Sequence, residues 1–338
     1  MKKGLKIFLI VLAVILILLI IAGSVAFAFI KNKLDKINYE EIDTANLSIN
    51  ENLINDINSV EGVDVTPEEF NEIKTIAIFG SDSRNIEDTY DNGRSDCIII
   101  ATINPTTKSV SLVSIPRDTY VNVPGHGKTK INHAFAYGQE QLSIKTINEN
   151  FGLSISEYIT VSWDAVATIV DTVGGIDLEI SEAEKDFING RVDVYSKNLN
   201  KSSEKLASSG NVHLNGVQTL AHCSNRYVGN NDFARAERQR TVITTLLQVI
   251  SQKSVTEINK IIDEFLPYVK TNIDVVKYSS YIPDILKYKN EYLANITSAQ
   301  VPALGEASGQ YIGGIYYYVP SSYEKCKQDF IKYLYGNN

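Results

Sequence analysis

An α/β fold, with a central mixed β-sheet covered by helices behind a single N-terminal transmembrane helix, is the architecture this 338-residue sequence predicts. Three observations predict it. The chain opens on a long uncharged run, and β-rich and helical segments alternate from Lys74 onward. Its 44% hydrophobic against 21% charged residues is the composition of a chain with a packed core.

Residues 1–6 form a short tail carrying Lys2, Lys3 and Lys6. Ile7–Ile30 then runs for 24 residues without a charge or a polar face. As a helix it measures about 36 Å, enough to cross about 30 Å of hydrocarbon with some tilt. Ala26-Phe27-Ala28 resembles a signal-peptide cleavage site, but the run exceeds the about 7–15 apolar residues of a cleaved signal. Lys31, Lys33 and Lys36 balance the lysines before the span. Orientation therefore rests on the short tail and on Asp35, Glu40, Glu41 and Asp43 beyond, which put the N-terminus in the cytoplasm and the rest outside the cell.

Residues 31–73 are polar and acidic with isolated aliphatics, and read as an extracellular stalk with one short helix. Residues 74–338 read as one domain. Lys74–Phe79, Asp96–Ile103 and Ser109–Ile115 are strands, with Asn104-Pro105-Thr106-Thr107 a turn between the last two. Asp96–Ile103 is nearly all apolar, as a central strand covered on both faces would be. Helix Gln141–Phe151, strand Tyr158–Ser162, helix Trp163–Val173 stopped by Gly174-Gly175, and strand Ile176–Ile180 continue the alternation. Asn215–Asn225 and Phe233–Lys253 are helical, Ile315–Val319 is a strand, and Pro320-Ser321-Ser322 starts a last helix.

Beyond residue 30 the chain carries 29 basic and 40 acidic residues, a net −11. That excludes a general nucleic-acid binder, which needs a broadly basic surface. Three cysteines without paired spacing exclude a disulfide framework and a zinc ribbon, and no histidine has an i+4 partner for zinc. No Gly-x-Ser-x-Gly elbow supports acyl-enzyme hydrolysis.

Against that acidic background, two clusters stand out. The first three strand ends present Gly80-Ser81-Asp82-Ser83-Arg84, Gly93-Arg94-Ser95-Asp96 and Pro116-Arg117-Asp118. Singly these are turn chemistry; together, carboxylates and guanidinium forks suit a divalent cation beside phosphate oxygens. The second cluster is Arg226, Arg235, Arg238 and Arg240, with Arg235, Arg238 and Gln239 on one helical face. A solvated helix face is the plainer explanation of that cluster taken alone.

The stretches IAIFGSDSR, GRSDCIIIATINPTTKSVSLVSIPRDTYVNVPGHGKTKINHAFAYG and DFARAERQR together resemble the LytR–CpsA–Psr family of membrane-anchored phosphotransferases, over about residues 74–253, and GGIYYYVP is similar to the family's closing strand. The resemblance implies transfer of a glycopolymer (teichoic acid, capsule or similar) from a polyprenyl-pyrophosphate carrier to peptidoglycan. A phosphodiester forms and polyprenyl phosphate leaves. It implies that Asp82 and Asp96 hold Mg²⁺, or Mn²⁺, on the pyrophosphate. Arg94, Arg117, Arg226, Arg235 and Gln239 would clamp its oxygens, with Arg238 placed among them, while the lipid tail occupies an apolar tunnel beside the sheet. Arg94 and Arg117 would stabilise charge as an acceptor hydroxyl attacks in line. Asp118 is placed either as the base for that hydroxyl or as an ion-pair partner of Arg117.

One position departs from the family, which has Arg-x-Arg where this chain reads Ser224-Asn225-Arg226. A missing charge-assisted contact costs on the order of 1.5–3 kcal/mol. Two other classes stay open: a hydrolase releasing lipid phosphate, since water can replace the acceptor hydroxyl in the same site, and a non-catalytic regulator that binds polyprenyl lipid, which the Ser224 departure supports. Elsewhere, His126 and His133 fall in a Val123–Ala136 loop and His222 is an ordinary helix residue. Cys97 is a small strand hydrophobe, and Cys223 and Cys326 are not expected to bridge. Tyr316–Tyr318 either pack or border a sugar groove.

Overall fold

The structure, a computed structural model, describes residues 37–81, 93–229, 231–274 and 287–336. The tail and the span over 7–30 lie outside them. Among the described residues no helix is long and apolar enough to cross a membrane.

The chain begins with β1 (Asn38–Tyr39) and two short helices, α1 (Leu53–Asn58) and α2 (Pro67–Glu72). The start of α2 is encoded locally: the Thr66 hydroxyl accepts from Glu69 N at 3.2 Å, and Pro67 fills the first helical position. The three predicted strands follow as β2 (Lys74–Ser81), β3 (Ser95–Asn104) and β4 (Ser109–Ser114), an antiparallel meander. Between the last two, Asn104 Oδ1 accepts from Thr106 N and Thr107 N, so the predicted turn forms through its first side chain. A hairpin follows, β5 (Tyr120–Val123) and β6 (Gly127–Lys130), its second strand inside the Val123–Ala136 stretch read as a loop. Helix α3 (His133–Phe151) starts earlier than predicted and is broken at Gly138–Gln139, and β7 (Glu157–Ser162) follows.

The chain continues through α4 (Trp163–Val173), β8 (Ile176–Ile180), α5 (Glu182–Asn189), α6 (Val192–Leu199), β9 (Gly210–Leu214), α7 (Gly216–Cys223), α8 (Asn231–Ser251) and α9 (Val255–Phe265). It then forms β10 (Val269–Thr271), α10 (Lys289–Ala294), β11 (Ile296–Gln300), the hairpin β12 (Ala307–Ile312) and β13 (Ile315–Pro320), and α11 (Tyr323–Tyr335). The central sheet has seven strands in the order β1-β10-β7-β2-β3-β4-β11. It is mixed, because β11 runs parallel to β4 while β2, β3 and β4 alternate. Strand β8 does not join it. It pairs with β9 instead, so the β–α–β pattern around α4 links two sheets and not two strands of one.

Packing divides the chain into two compact units. One centres on Ser162–Val269; the other comprises Tyr39–Val161, Lys270–Asp274 and Pro283–Asn338. In the second, α3 and α11 supply Ile144, Ile147, Phe151, Phe330 and Leu334 to one core with Ala77, Phe79, Ile98, Ile100 and Val113 of the sheet. The Phe151 and Phe330 rings meet at 5.0 Å. The alternate strand residues Ile76, Ile99 and Leu112 are also buried, as expected of strands covered on both faces. Leu47, Leu53, Ile57, Val63, Val65 and Ile73 belong to the same core. The segment that its polar composition marks as a stalk is therefore folded into this unit from β1 onward. A buried Lys270 joins Glu140 of α3 at 3.1 Å to Glu40 at 2.9 Å, while Thr160 donates to Glu140 at 2.7 Å.

In the unit centred on Ser162–Val269, α4 and α7 pack against each other. Their closeness depends on Gly216, where a Cβ would sit 2.2 Å from the carbonyl oxygen of Ala167. The obstacle is backbone, so Gly216→Ala must push the helices apart, at a cost of about 1–3 kcal/mol. A thermal melt should show the loss, with the midpoint falling by several degrees.

Candidate functional site

In the sheet-bearing unit, β3, β4 and the turn after β4 bring four candidate side chains to neighbouring strand ends. The β2–β3 register slips there: Gly80 faces Cys97 and Ser81 faces Ser95, which leaves Asp96 as the bulged residue. A bulge re-aims a side chain out of the regular pleat. Gly80 permits the close approach, since a Cβ would lie 2.8 Å from that of Cys97. Arg117 Nη1 then donates to Asp96 Oδ1 at 2.7 Å, with both side chains largely buried. Arg94, just before β3, is exposed. Asp82 follows the last residue of β2 and lies outside the described residues.

The Pro116-Arg117-Asp118 turn is held from several sides. Thr119 donates to Pro116 O through its amide at 3.0 Å and its hydroxyl at 2.6 Å. Ile131 N donates to Thr119 O, and Tyr318 N of β13 donates to Asp118 O at 2.9 Å. Asp118 itself pairs with Lys130 at 2.7 Å, while Arg117 pairs with Asp96. Lys130 was not among the residues the sequence pointed to, although it lies in the resembling stretch, because a lysine in a polar loop carries no spacing signal. The same holds for His133, whose Nδ1 lies 2.8 Å from Thr129 Oγ1. Burial, then the positive charges of Arg94 and Lys130, push His133 below its ordinary pKa, with Asp118 opposing. His126 stacks on Tyr137 at 4.2 Å. Of the tyrosine run, Tyr317 and Tyr318 pack inward, while Tyr316 faces solvent with Tyr311.

The second cluster lies in the other unit, after α7. Ser224 ends that helix, and its hydroxyl donates to Ala221 O at 2.8 Å. Asn225 then closes a turn: its Oδ1 accepts from Tyr227 N at 3.0 Å and Val228 N at 3.2 Å. Arg226 is exposed on this turn, its guanidinium 5.4 Å from the Tyr227 ring centre. On α8, Arg235 is buried, and Gln239 Nε2 approaches Cys223 O at 3.5 Å. Arg238 is engaged at every nitrogen: Nε on Glu184 at 2.7 Å, Nη1 on Asn225 O at 2.9 Å and Nη2 on Val228 O at 2.6 Å. Burial alone would raise Glu184, but bonds from Arg238 and Ser181 hold it below the usual carboxylate range. Burial pushes His222 down to about 4, with Arg238 adding to the effect against Glu184, so its imidazole is neutral at pH 7.

No group of three His, Cys, Asp or Glu side chains suited to a metal occurs among the described residues. The donor chemistry still fits Mg²⁺, which takes one or two carboxylates and completes its shell with phosphate oxygens and water. Asp96 is one such carboxylate, at a strand end lined by arginine.

Three comparisons bear on this arrangement. The LytR_cpsA_psr family matches residues 30–330 of the chain. The polyisoprenyl-teichoic acid–peptidoglycan teichoic acid transferase TagU of Oceanobacillus iheyensis is 33% identical over 257 residues, 74% of this chain and 72% of that protein. Among solved structures, TagV of B. subtilis superposes with a TM-score of 0.59 at 26% identity, covering 77% of this chain and 96% of that one. Protein gbs0355 of Streptococcus agalactiae has the same fold, with a TM-score of 0.64 at 24% identity over 80% and 90%.

Proposed function

Because this chain belongs to the LytR–CpsA–Psr family, we propose that it is a transferase moving teichoic acid from a polyisoprenyl carrier onto peptidoglycan. The observation that carries this reading on the chain itself is the Arg117–Asp96 pair at adjoining strand ends, with Arg94 beside it in sequence. Phosphoryl transfer asks the protein mainly for positioning and for positive charge where oxygens become more negative. Arg94 and Arg117 supply that charge on the pyrophosphate, and the resemblance to the family assigns pyrophosphate contacts to Arg226, Arg235 and Gln239 as well. Asp96, with Asp82, would hold Mg²⁺, which would neutralise pyrophosphate charge. Asp118 is the base closest in chain to this pair. Its ion pair with Lys130 keeps the carboxylate in place. Residues 7–30 anchor the chain in the cell membrane, with the two units outside.

The test uses residues 37–338 with a polyprenyl-pyrophosphate-linked saccharide and peptidoglycan fragments, with and without Mg²⁺, following both lipid phosphate and saccharide-bearing fragments. Metal-dependent appearance of both products is expected. Lipid phosphate without fragment product would make the protein a hydrolase, and bound lipid without turnover would make it a carrier-binding regulator.

A further inference from the structure

We propose that Arg238 and Glu184 are positioning residues: together they fix the Asn225–Val228 turn so that Arg226 is presented to the donor, and Arg238 does not itself touch it. This rests on the reading of Arg226 as a donor contact. The guanidinium of Arg238 has its donors in a rigid fork, and here each nitrogen meets a different acceptor. Two of those acceptors, Asn225 O and Val228 O, flank Arg226 and Tyr227 in the chain. The third, Glu184 Oε1, is itself held, because Glu184 Oε2 accepts from the Ser181 amide at 2.9 Å and hydroxyl at 2.7 Å at the start of α5. The Glu184 and Arg238 side chains are 14% and 9% exposed, so water competes weakly for these bonds.

Helix α5 also supports the turn a second way. Phe187, one turn beyond Glu184 on the same face, meets the Tyr227 ring at 5.8 Å, and Arg226 lies over the opposite partner of that contact, Tyr227 itself. Asn225 closes the turn from inside through its side-chain oxygen. The two residues between Arg238's two carbonyl partners are thus held by a buried fork at their flanks and by an aromatic contact at their tip. With Ser224 where the family carries another arginine, Arg226 is the one arginine of the turn before α8.

A double-mutant cycle tests this in the intact chain. Arg226→Ala is expected to lower kcat/KM for the lipid-linked saccharide by about 10–100-fold, and Arg238→Lys by about 10-fold. If Arg238 acts through Arg226, the double variant will be no worse than about 2–3-fold below Arg226→Ala alone, since residues acting as a unit do not add. In the same samples, hydrogen exchange at the Tyr227 and Val228 amides should speed up at least 10-fold in Arg238→Lys and in Glu184→Gln. Glu184→Gln keeps the shape of the clamp if the lysine variant folds poorly. Losses that multiply, or unchanged exchange, would overturn the positioning role while leaving Arg226 a donor contact. Wild-type turnover by Arg226→Ala would overturn that reading and the clamp's function with it.

Discussion

Arg117→Ala should lower the rate of polymer transfer by about 10²–10³-fold, the usual effect of removing one preorganised donor from a site of developing charge. Two consequences combine. The pyrophosphate loses a guanidinium, and Asp96 loses its 2.7 Å partner at a strand end that is largely shielded from water. Arg117→Lys keeps the charge but not the fork, so it should recover only part of the rate. The turn itself is held by Thr119, Ile131 and Tyr318 through backbone and hydroxyl bonds that do not use the Arg117 side chain. The alanine variant should therefore melt within a few degrees of the parent. Initial rates of saccharide-bearing fragment formation, read beside a thermal melt, check both halves. A rate within threefold of the parent would remove Arg117 from the proposed chemistry.

Deleting residues 37–73 should abolish cooperative folding of what remains. Leu47, Leu53, Ile57, Val63, Val65 and Ile73 are all buried in the core shared by the sheet, α3 and α11. At about 1.5–3 kcal/mol for each buried aliphatic, their sum reaches the whole net stability of an ordinary domain, about 5–15 kcal/mol. The deletion also removes β1 from the sheet and Asp56 from its 2.8 Å pair with Lys327. Purified fragments 37–338 and 74–338, compared by thermal unfolding and by binding of an apolar dye, will decide. A separable stalk would leave both with the same sharp transition.

The contrast shows what the sequence could carry. Strands β2, β3 and β4 were legible because their β-rich runs are punctuated by Gly80, Asn104 and Pro116. Helix α4 announced itself by apolar spacing and a glycine stop. Residues 38–73 did not, because single aliphatics spread among Asn, Asp and Glu form no period, and only long-range packing shows that six of them share one core. Likewise β8 reads as the natural sequel to β7 and α4, but strand pairing is a tertiary choice and β9 wins it. At the site, the arginines and aspartates could be named from their places at predicted strand ends and from the family resemblance. The Asp96 bulge, Lys130 as the partner of Asp118 and the triple engagement of Arg238 are properties of register and burial, which a linear pattern does not hold.

The bond from Tyr318 N to Asp118 O, with the Thr119–Tyr318 bridge beside it, joins parts of the chain about two hundred residues apart. Helix α11, later still, closes the core over residues supplied by α1 and β3. During synthesis about two hundred further residues must therefore emerge before the Tyr318 bond to Asp118 can form. Early strands β2, β3 and β4 can pair as they appear, but the unit that bears them cannot be sealed until α11 has emerged. Contacts of such long sequence separation fold slowly and leave apolar surface uncovered meanwhile. A chain cut before β13 therefore lacks both the Tyr318 bond to the Asp118 turn and the helix that closes the core.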